Sequence, residues 1–182
     1  TLTQDPTKAS LLLGTEIVTA MITVIIGIYF TFMVGWLILL IGGIGLLVIF
    51  AYTPWFNKQP LLCLLAPGFG FGTLMVLGTF YVLTGTITWS AVLTSFIPFF
   101  LVSNLLLLNE FPDVEADKTV SRRHYPILIG RKASAKIFVG FLVATYGVML
   151  LGVLTKLAPP WTLLGLLTLF IAIPTAQSVI KK

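Results

Sequence analysis

Apolar side chains fill this chain in runs longer than the interior of a soluble domain requires. The first run extends from Leu11 to about Phe32, long enough at 1.5 Å per residue to cross a bilayer core of about 30 Å. Short polar or turn-forming stretches separate it from further runs of the same kind. The pattern predicts an all-α, polytopic transmembrane helix bundle of six spans. These are Leu11–Phe32, a second span ending at Tyr52, Leu61–Leu83, Ala91–Leu108, Ile137–Leu154 and Trp161–Ile180.

The breaks between the spans contain residues that end helices. Apolar residues resume at Val34–Ala51 so soon after the first run that a tight turn is expected near Gly35. The connector Tyr52–Pro60 is polar and aromatic. The third span contains Pro67, Gly68, Gly70 and Gly72, but no Gly-Lys-Ser/Thr sequence follows them. These residues therefore predict close helix packing or a kink rather than a nucleotide-binding loop.

The composition supports an integral membrane protein. Hydrophobic residues make up 58% of the chain and charged residues 9%, against roughly 25% charged in soluble domains. Cys63 is the only cysteine, so no disulfide can form within the chain. The first residue is Thr1 rather than Met, so the sequence is expected to be a piece of a longer protein.

The basic residues test the number of spans. With six spans, one side of the membrane carries ten of the eleven basic residues, and only Lys156 lies on the other. The basic side comprises both termini, the Tyr52–Pro60 connector and the Asn109–Lys136 block. This asymmetry predicts that the basic side faces the cytoplasm of a bacterial or archaeal cell. It also accounts for the net charge of +5 without a nucleic-acid partner.

Four of the six acidic residues lie within the ten positions Asn109–Lys118. If this stretch is helical, Asn109, Asp113 and Asp117 recur every four residues and share one face. Two carboxylates one turn apart suit a divalent cation that also takes oxygens from a phosphate. Arg122 and Arg123 would then bind the same phosphate.

This stretch has two other interpretations. It could be a solvated loop between spans, and the residue pattern alone does not decide between this and a cation site. A calcium-binding loop is excluded because Lys118 stands where glycine is needed and His124 where glutamate is needed. Glu16, within the first span, either faces other helices or a wet cavity or reaches back to the membrane interface.

The block from Asn109 to Arg131 resembles the second aspartate-rich motif of the UbiA-type intramembrane prenyltransferases. The shared features are Asn-x3-Asp-x3-Asp, the basic pair Arg122-Arg123 and a glycine that opens the next span. The form Pro112–Asp117 is most similar to members that prenylate naphthoates in menaquinone synthesis. The connector also matches, with Tyr52 ending a span and Lys58 following it.

The resemblance implies a bundle of nine membrane helices with a central cavity that opens toward the cytoplasm. Such proteins transfer a polyprenyl group from its diphosphate to an aromatic or other lipophilic acceptor, and two aspartate motifs hold Mg²⁺ against the diphosphate. The first motif, Asn-Asp-x2-Asp-x3-Asp, does not occur in this sequence. Residues 1–182 are therefore expected to form a single domain, incomplete at both ends and equivalent to helices three to eight. Alone, they are expected to lack transfer activity.

Carried over residue by residue, the resemblance assigns a role to each polar position of the motif. Asp113 and Asp117 would hold Mg²⁺, and Asn109 would orient that site. The diphosphate would be bound by Tyr52, Lys58, Lys118, Arg122 and Arg123, with the isoprenoid tail in an apolar groove between spans. His124 stands where the family often has a small polar residue; headgroup contact or solvation is expected for it, with a catalytic role as the less favoured alternative. Arg131, Lys132 and Lys136 are expected only to set the topology.

A second class of function remains open from the sequence. A polytopic transport or scaffold protein could use the acidic stretch as a cytoplasmic loop that binds a cation or a partner. Such a protein is expected to carry charges along a pathway within the membrane, and Glu16 is the only candidate here.

Overall fold

The computed structural model describes residues 6–119 and 122–181, with side chains from Ser10 onward. Within these ranges there is no strand, and the elements are helices joined by short connections. In chain order they are α1 (Pro6–Val34), α2 (Leu37–Tyr52), a 3₁₀ turn (Phe56–Lys58), α3 (Pro60–Thr84), α4 (Trp89–Thr119), α5 (Tyr125–Leu128), α6 (Gly130–Leu154) and α7 (Pro160–Lys181).

The helices confirm the predicted integral membrane bundle. In the described part of the chain, α1, α3, α4, α6 and α7 are long and apolar enough to cross a membrane. Helix α2 is also apolar but has 16 residues, which at 1.5 Å each gives about 24 Å, short of a core of about 30 Å. The described residues therefore contain five helices of full spanning length and one shorter apolar helix.

The turn between α1 and α2 lies where the sequence predicted it. Gly35 has a φ of +118°, a backbone conformation that a residue with a Cβ adopts only with strain. The hydroxyl of Tyr81, on α3, donates a hydrogen bond of 3.0 Å to the carbonyl of Val34. This contact satisfies a carbonyl at the end of α1 and attaches the turn to α3.

Helix α3 contains a π-helical segment rather than a simple kink. It is α-helical over Pro60–Pro67, π-helical over Gly68–Leu74 and α-helical again over Met75–Thr84. A Cβ at Gly68 or Gly72 would overlap the backbone of Phe99 on α4. The glycines therefore allow α3 and α4 to approach closely, as the sequence predicted.

Helix α4 extends well beyond the predicted end of the fourth span. That span was expected to finish at Leu108, but the helix continues to Thr119 and includes Pro112. The prediction treated the charged block as a connection outside the spans. The helix continues because Glu110, Val114 and Asp117 pack inward on its buried face, where burial and polar contacts offset the backbone hydrogen bond that proline removes.

The block that follows α4 is also more helical than predicted. Helix α6 begins at Gly130, the glycine that the resemblance expected to open the next span, rather than near Ile137 as the apolar pattern predicted, so Arg131 and Lys136 lie on its first two turns. Basic side chains can extend from a helix end to the interface, so the charges of Arg131 and Lys136 did not mark where α6 starts. Helix α7 starts as a 3₁₀ segment, Pro160–Thr168, and becomes α-helical from Leu169.

The core of the bundle lies around α4. Leu64 of α3, Leu107 of α4 and Phe138 of α6 form a buried cluster. The side-chain amide of Asn104 donates a hydrogen bond of 3.0 Å to the carbonyl of Phe138. Helix α4 is thereby held between α3 and α6, and its C-terminal turns carry the acidic motif.

Candidate active site

The acidic motif occupies the last turns of α4. The stretch is helical, as a shared face for its polar side chains requires. Asn109 and Asp113 are exposed, whereas Asp117 is buried with 8% of its surface accessible. Because each four-residue step advances about 40° beyond a full turn, the three residues follow a slanted line from the exposed face to the buried face.

Asp117 is held by the segment that follows the helix. Its Oδ2 lies 3.0 Å from Nε2 of His124, and its Oδ1 accepts a hydrogen bond of 3.3 Å from Nη1 of Arg122. The backbone N–H of Arg122 also donates to the carbonyl of Asp117 at 3.2 Å. The predicted metal ligand and one predicted diphosphate ligand are therefore in direct contact.

His124 is not solvated, so the expectation of headgroup contact or solvation is wrong. Only 2% of its surface is accessible. Its carbonyl accepts hydrogen bonds from the N–H groups of Ile127 (3.1 Å) and Leu128 (3.2 Å), so the residue caps α5. Burial lowers the pKa of the imidazole, and the carboxylate of Asp117 partly offsets that change. Because a carboxylate accepts hydrogen bonds, Nε2 is the donor in the contact with Asp117.

Glu110 and Cys63 extend the same group of contacts and were missed by the sequence analysis. Oε2 of Glu110 lies 3.8 Å from Nδ1 of His124. Its Oε1 accepts a hydrogen bond of 3.4 Å from Sγ of Cys63, and Sγ is 3.7 Å from the hydroxyl of Tyr52. A buried polar line thus runs from α2 through α3 to the end of α4.

One signal in the sequence could have identified Glu110. It precedes Asp117 by seven residues, which is nearly two complete turns, so the two carboxylates share a face more closely than Asn109 and Asp117 do. For Cys63 the sequence offers no such signal, because its contact with Glu110 spans 47 positions.

The remaining predicted diphosphate ligands divide into two groups. The backbone N–H of Arg123 donates to the carbonyl of Asn57 at 3.2 Å, which brings the Phe56–Lys58 turn against the segment after α4. Lys58 and Arg123 both have exposed side chains. Lys118 instead forms an ion pair of 2.9 Å with Glu115 on the exposed face of α4.

Tyr52, the last residue of α2, also lines an apolar groove. The groove has a volume of about 760 Å³ and runs between α1, α2 and α3. Its walls include Gly45, Ile49, Pro67, Phe71 and Met75. A long apolar group could therefore lie in the groove with its polar end beside Tyr52.

The oxygen donors of the motif fit a hard divalent cation. Asp113 and Asp117 are one helical turn apart, about 6 Å between Cβ atoms, and Asn109 adds an amide oxygen one turn earlier. No described side chain hydrogen-bonds or ion-pairs with Asp113. The described residues contain no group of three His, Cys, Asp or Glu side chains arranged to hold a metal. Two carboxylates are nevertheless the usual protein contribution to a Mg²⁺ site that also takes oxygens from substrate phosphates.

Comparison with known proteins places the chain in a family. The model of the UbiA prenyltransferase family matches residues 13–182. The chain therefore belongs to the UbiA prenyltransferase family. It is 27% identical over 166 residues to the 1,4-dihydroxy-2-naphthoate octaprenyltransferase of Bacillus subtilis (strain 168), covering 88% of this chain and 51% of that protein. The chain thus spans about half the length of this curated relative. No solved structure matches it.

Proposed function

We propose that the protein containing this chain is a Mg²⁺-dependent enzyme that transfers a polyprenyl group from its diphosphate to a lipophilic aromatic acceptor. One observation carries the proposal. Helix α4 continues through the acidic motif, which sets Asp117 against Arg122 at the end of the bundle. The arrangement supplies both the acidic metal ligands and the cationic groups that an ionising diphosphate requires.

The chemistry assigns each polar residue a task. The C–O bond of an allylic diphosphate breaks to give a carbocation, which alkylates the acceptor as the acceptor loses a proton. Asp113 and Asp117 would hold Mg²⁺, and Asn109 would orient that site. The bound ion neutralises charge on the leaving diphosphate. Basic side chains would bind the same group, and these are Lys58, Lys118, Arg122 and Arg123.

Tyr52 connects the polar site with the site proposed for the isoprenoid tail. Its hydroxyl lies beside Cys63, and the residue lines the apolar groove of about 760 Å³. We place the tail in this groove and the diphosphate beside Tyr52, which would donate a hydrogen bond to it. The groove contributes affinity by burying apolar surface, roughly 25 cal/mol for each Å² removed from water.

The acceptor proposed is a hydroxylated naphthoate, and the pathway is quinone biosynthesis of the menaquinone type. Support comes from the name of the Bacillus subtilis relative. The membrane orientation proposed places the acidic motif and both chain ends in the cytoplasm, since the basic residues concentrate on that side.

The test uses the complete protein in liposomes with a polyprenyl diphosphate, Mg²⁺ and a panel of hydroxylated naphthoates and benzoates. Mass spectrometry should detect a prenylated product, and diphosphate should be released in equal amount. A matched sample with a chelator should give neither. If no acceptor is prenylated while the liposomes pass cations, the protein belongs to the transport class instead.

A further inference from the structure

The chain contains one histidine, and it lies behind the proposed metal site. His124 is buried, with Nε2 at 3.0 Å from Oδ2 of Asp117 and Nδ1 at 3.8 Å from Oε2 of Glu110. Its backbone is fixed as well, because its carbonyl caps the first turn of α5. The ring is therefore held from both the main-chain side and the side-chain side.

The position of the ring determines how Asp117 can turn. A carboxylate at a helix end can rotate about two side-chain bonds. Nε2 of His124 contacts Oδ2 at 3.0 Å, while Nη1 of the half-exposed Arg122 lies 3.3 Å from Oδ1 and 3.5 Å from Oδ2. Groups that hydrogen-bond to a metal ligand orient that ligand in the same way.

Glu110 contributes by closing the other side of the ring. Its Oε2 and Nδ1 of His124 are both buried and have no hydrogen-bond partner among the described residues. The 3.4 Å contact with Cys63 holds the other carboxyl oxygen of Glu110. The imidazole thus lies between two acidic side chains, and its Nε2 edge faces the one that belongs to the motif.

We propose that His124 is a positioning residue that fixes the Asp117 carboxylate for the metal and the diphosphate, with Glu110 packed behind the ring. The proposal rests on the proposed function, because it concerns the orientation of a ligand in that metal site. His124 itself binds neither the ion nor the substrate.

Two replacements of similar size and polarity separate positioning from general folding. In His124→Gln the amide nitrogen is as many bonds from Cβ as Nε2 is, so the N–H toward Asp117 is kept. In His124→Asn the amide nitrogen matches Nδ1 instead and faces Glu110. The measurement is the affinity of the complete protein for Mn²⁺, a paramagnetic substitute for Mg²⁺, in the presence of inorganic pyrophosphate.

We expect His124→Asn to weaken Mn²⁺ binding by about 10- to 100-fold, the usual effect of removing a residue that hydrogen-bonds to a metal ligand. His124→Gln should remain within about threefold of the wild type. Equal affinities in the two variants would overturn the proposal. The Asp113→Asn variant distinguishes a failure of the proposed metal site from a failure of the positioning role. If Asp113→Asn binds Mn²⁺ as tightly as the wild type, the proposed metal site is wrong. If Asp113→Asn loses Mn²⁺ binding and His124→Asn keeps it, only the positioning role is wrong.

A measurement on the unmodified protein avoids any variant that does not fold. In ¹⁵N spectra of labelled histidine, the His124 ring should be the Nε2–H tautomer, and its signals should move when Mg²⁺ and pyrophosphate are added together. The signal is identified through its couplings to the neighbouring residues. An Nδ1–H ring, or signals that do not respond, would contradict a donor fixed on Asp117.

Discussion

The two aspartates of the motif differ in their surroundings although their spacing in the sequence makes them look equivalent. Asp113 is exposed and makes no hydrogen bond with a described side chain, whereas Asp117 is buried and contacts His124 and Arg122. Asp113 is thus free to follow a ligand, and Asp117 is fixed in advance. In binding sites, a preorganised group loses less conformational entropy when the ligand arrives.

We expect Arg122 to bind the diphosphate in addition to forming its ion pair with Asp117. Because its side chain is 50% exposed, the ion pair with Asp117 contributes little to stability. We predict that Arg122→Gln raises the KM for prenyl diphosphate by about tenfold, the loss of roughly 1.4 kcal/mol of binding. Steady-state kinetics of the complete protein measure this. Arg131→Gln, at an exposed position on α6, is the control and should change KM less than about twofold. Equal changes in KM for the two variants would show that Arg122 does not bind the diphosphate.

Cys63 is predicted to matter as a hydrogen-bond donor rather than as a reactive thiol. Cys63→Val removes the donor to Oε1 of Glu110, which would then be buried and unpaired at a cost of about 1–3 kcal/mol. Cys63→Ser keeps a donor at nearly the same place. Thermal unfolding in detergent should show a lower midpoint for the valine variant than for the serine variant. The reverse order would show that packing, not the hydrogen bond, stabilises this position.

At the scale of the helices, the sequence predicted some elements accurately and missed others for identifiable reasons. The turn at Gly35 and the apolar spans follow from local signals, namely a glycine that permits positive φ and runs of apolar residues. The end of α4 and the start of α6 do not follow from such local signals, because charged side chains there are buried or extend to the interface from within a helix.

The candidate site was predicted only as far as the i, i+4 spacing reaches. That spacing selected Asn109, Asp113 and Asp117 as candidate residues, and the adjacent arginine pair followed. The contacts that complete the site join distant parts of the chain, as between Cys63 and Glu110. The buried state of His124 likewise depends on α5, a helix of four residues with no distinctive sequence pattern.

The close contact between α3 and α4 gives a prediction about packing. A methyl group at Gly72 would overlap the backbone of Phe99, whereas at Gly70 it would meet nothing within 4 Å. Gly72→Ala should therefore lower stability by about 1–3 kcal/mol or more through overpacking, and Gly70→Ala should leave it nearly unchanged. Unfolding of the two purified variants in detergent compares them directly. A stable Gly72→Ala variant would show that the helices are not packed this tightly.

For the molecule as a whole, the distribution of charge sets the expected topology. Ten of eleven basic residues fall on one side when α2 is counted as a crossing, although it is shorter than the other spans. A reporter fused after Lys182 should then be cytoplasmic, and one inserted at Gly85, in the turn between α3 and α4, should be external. Two reporters on the same side would show that the number of crossings between these points is even rather than odd.

The central claim is that the acidic motif binds the metal needed for prenyl transfer. Its most direct test measures Mg²⁺-dependent product formation by the complete protein carrying Asp113→Asn, Asp117→Asn or Glu115→Gln. Each aspartate change should reduce the rate by at least about 10²–10³-fold, because the amide keeps the shape but removes the charge. Glu115 is exposed and paired with Lys118, so its variant should stay within about tenfold of the wild type. Full activity in both aspartate variants, or an equal loss in Glu115→Gln, would contradict the account.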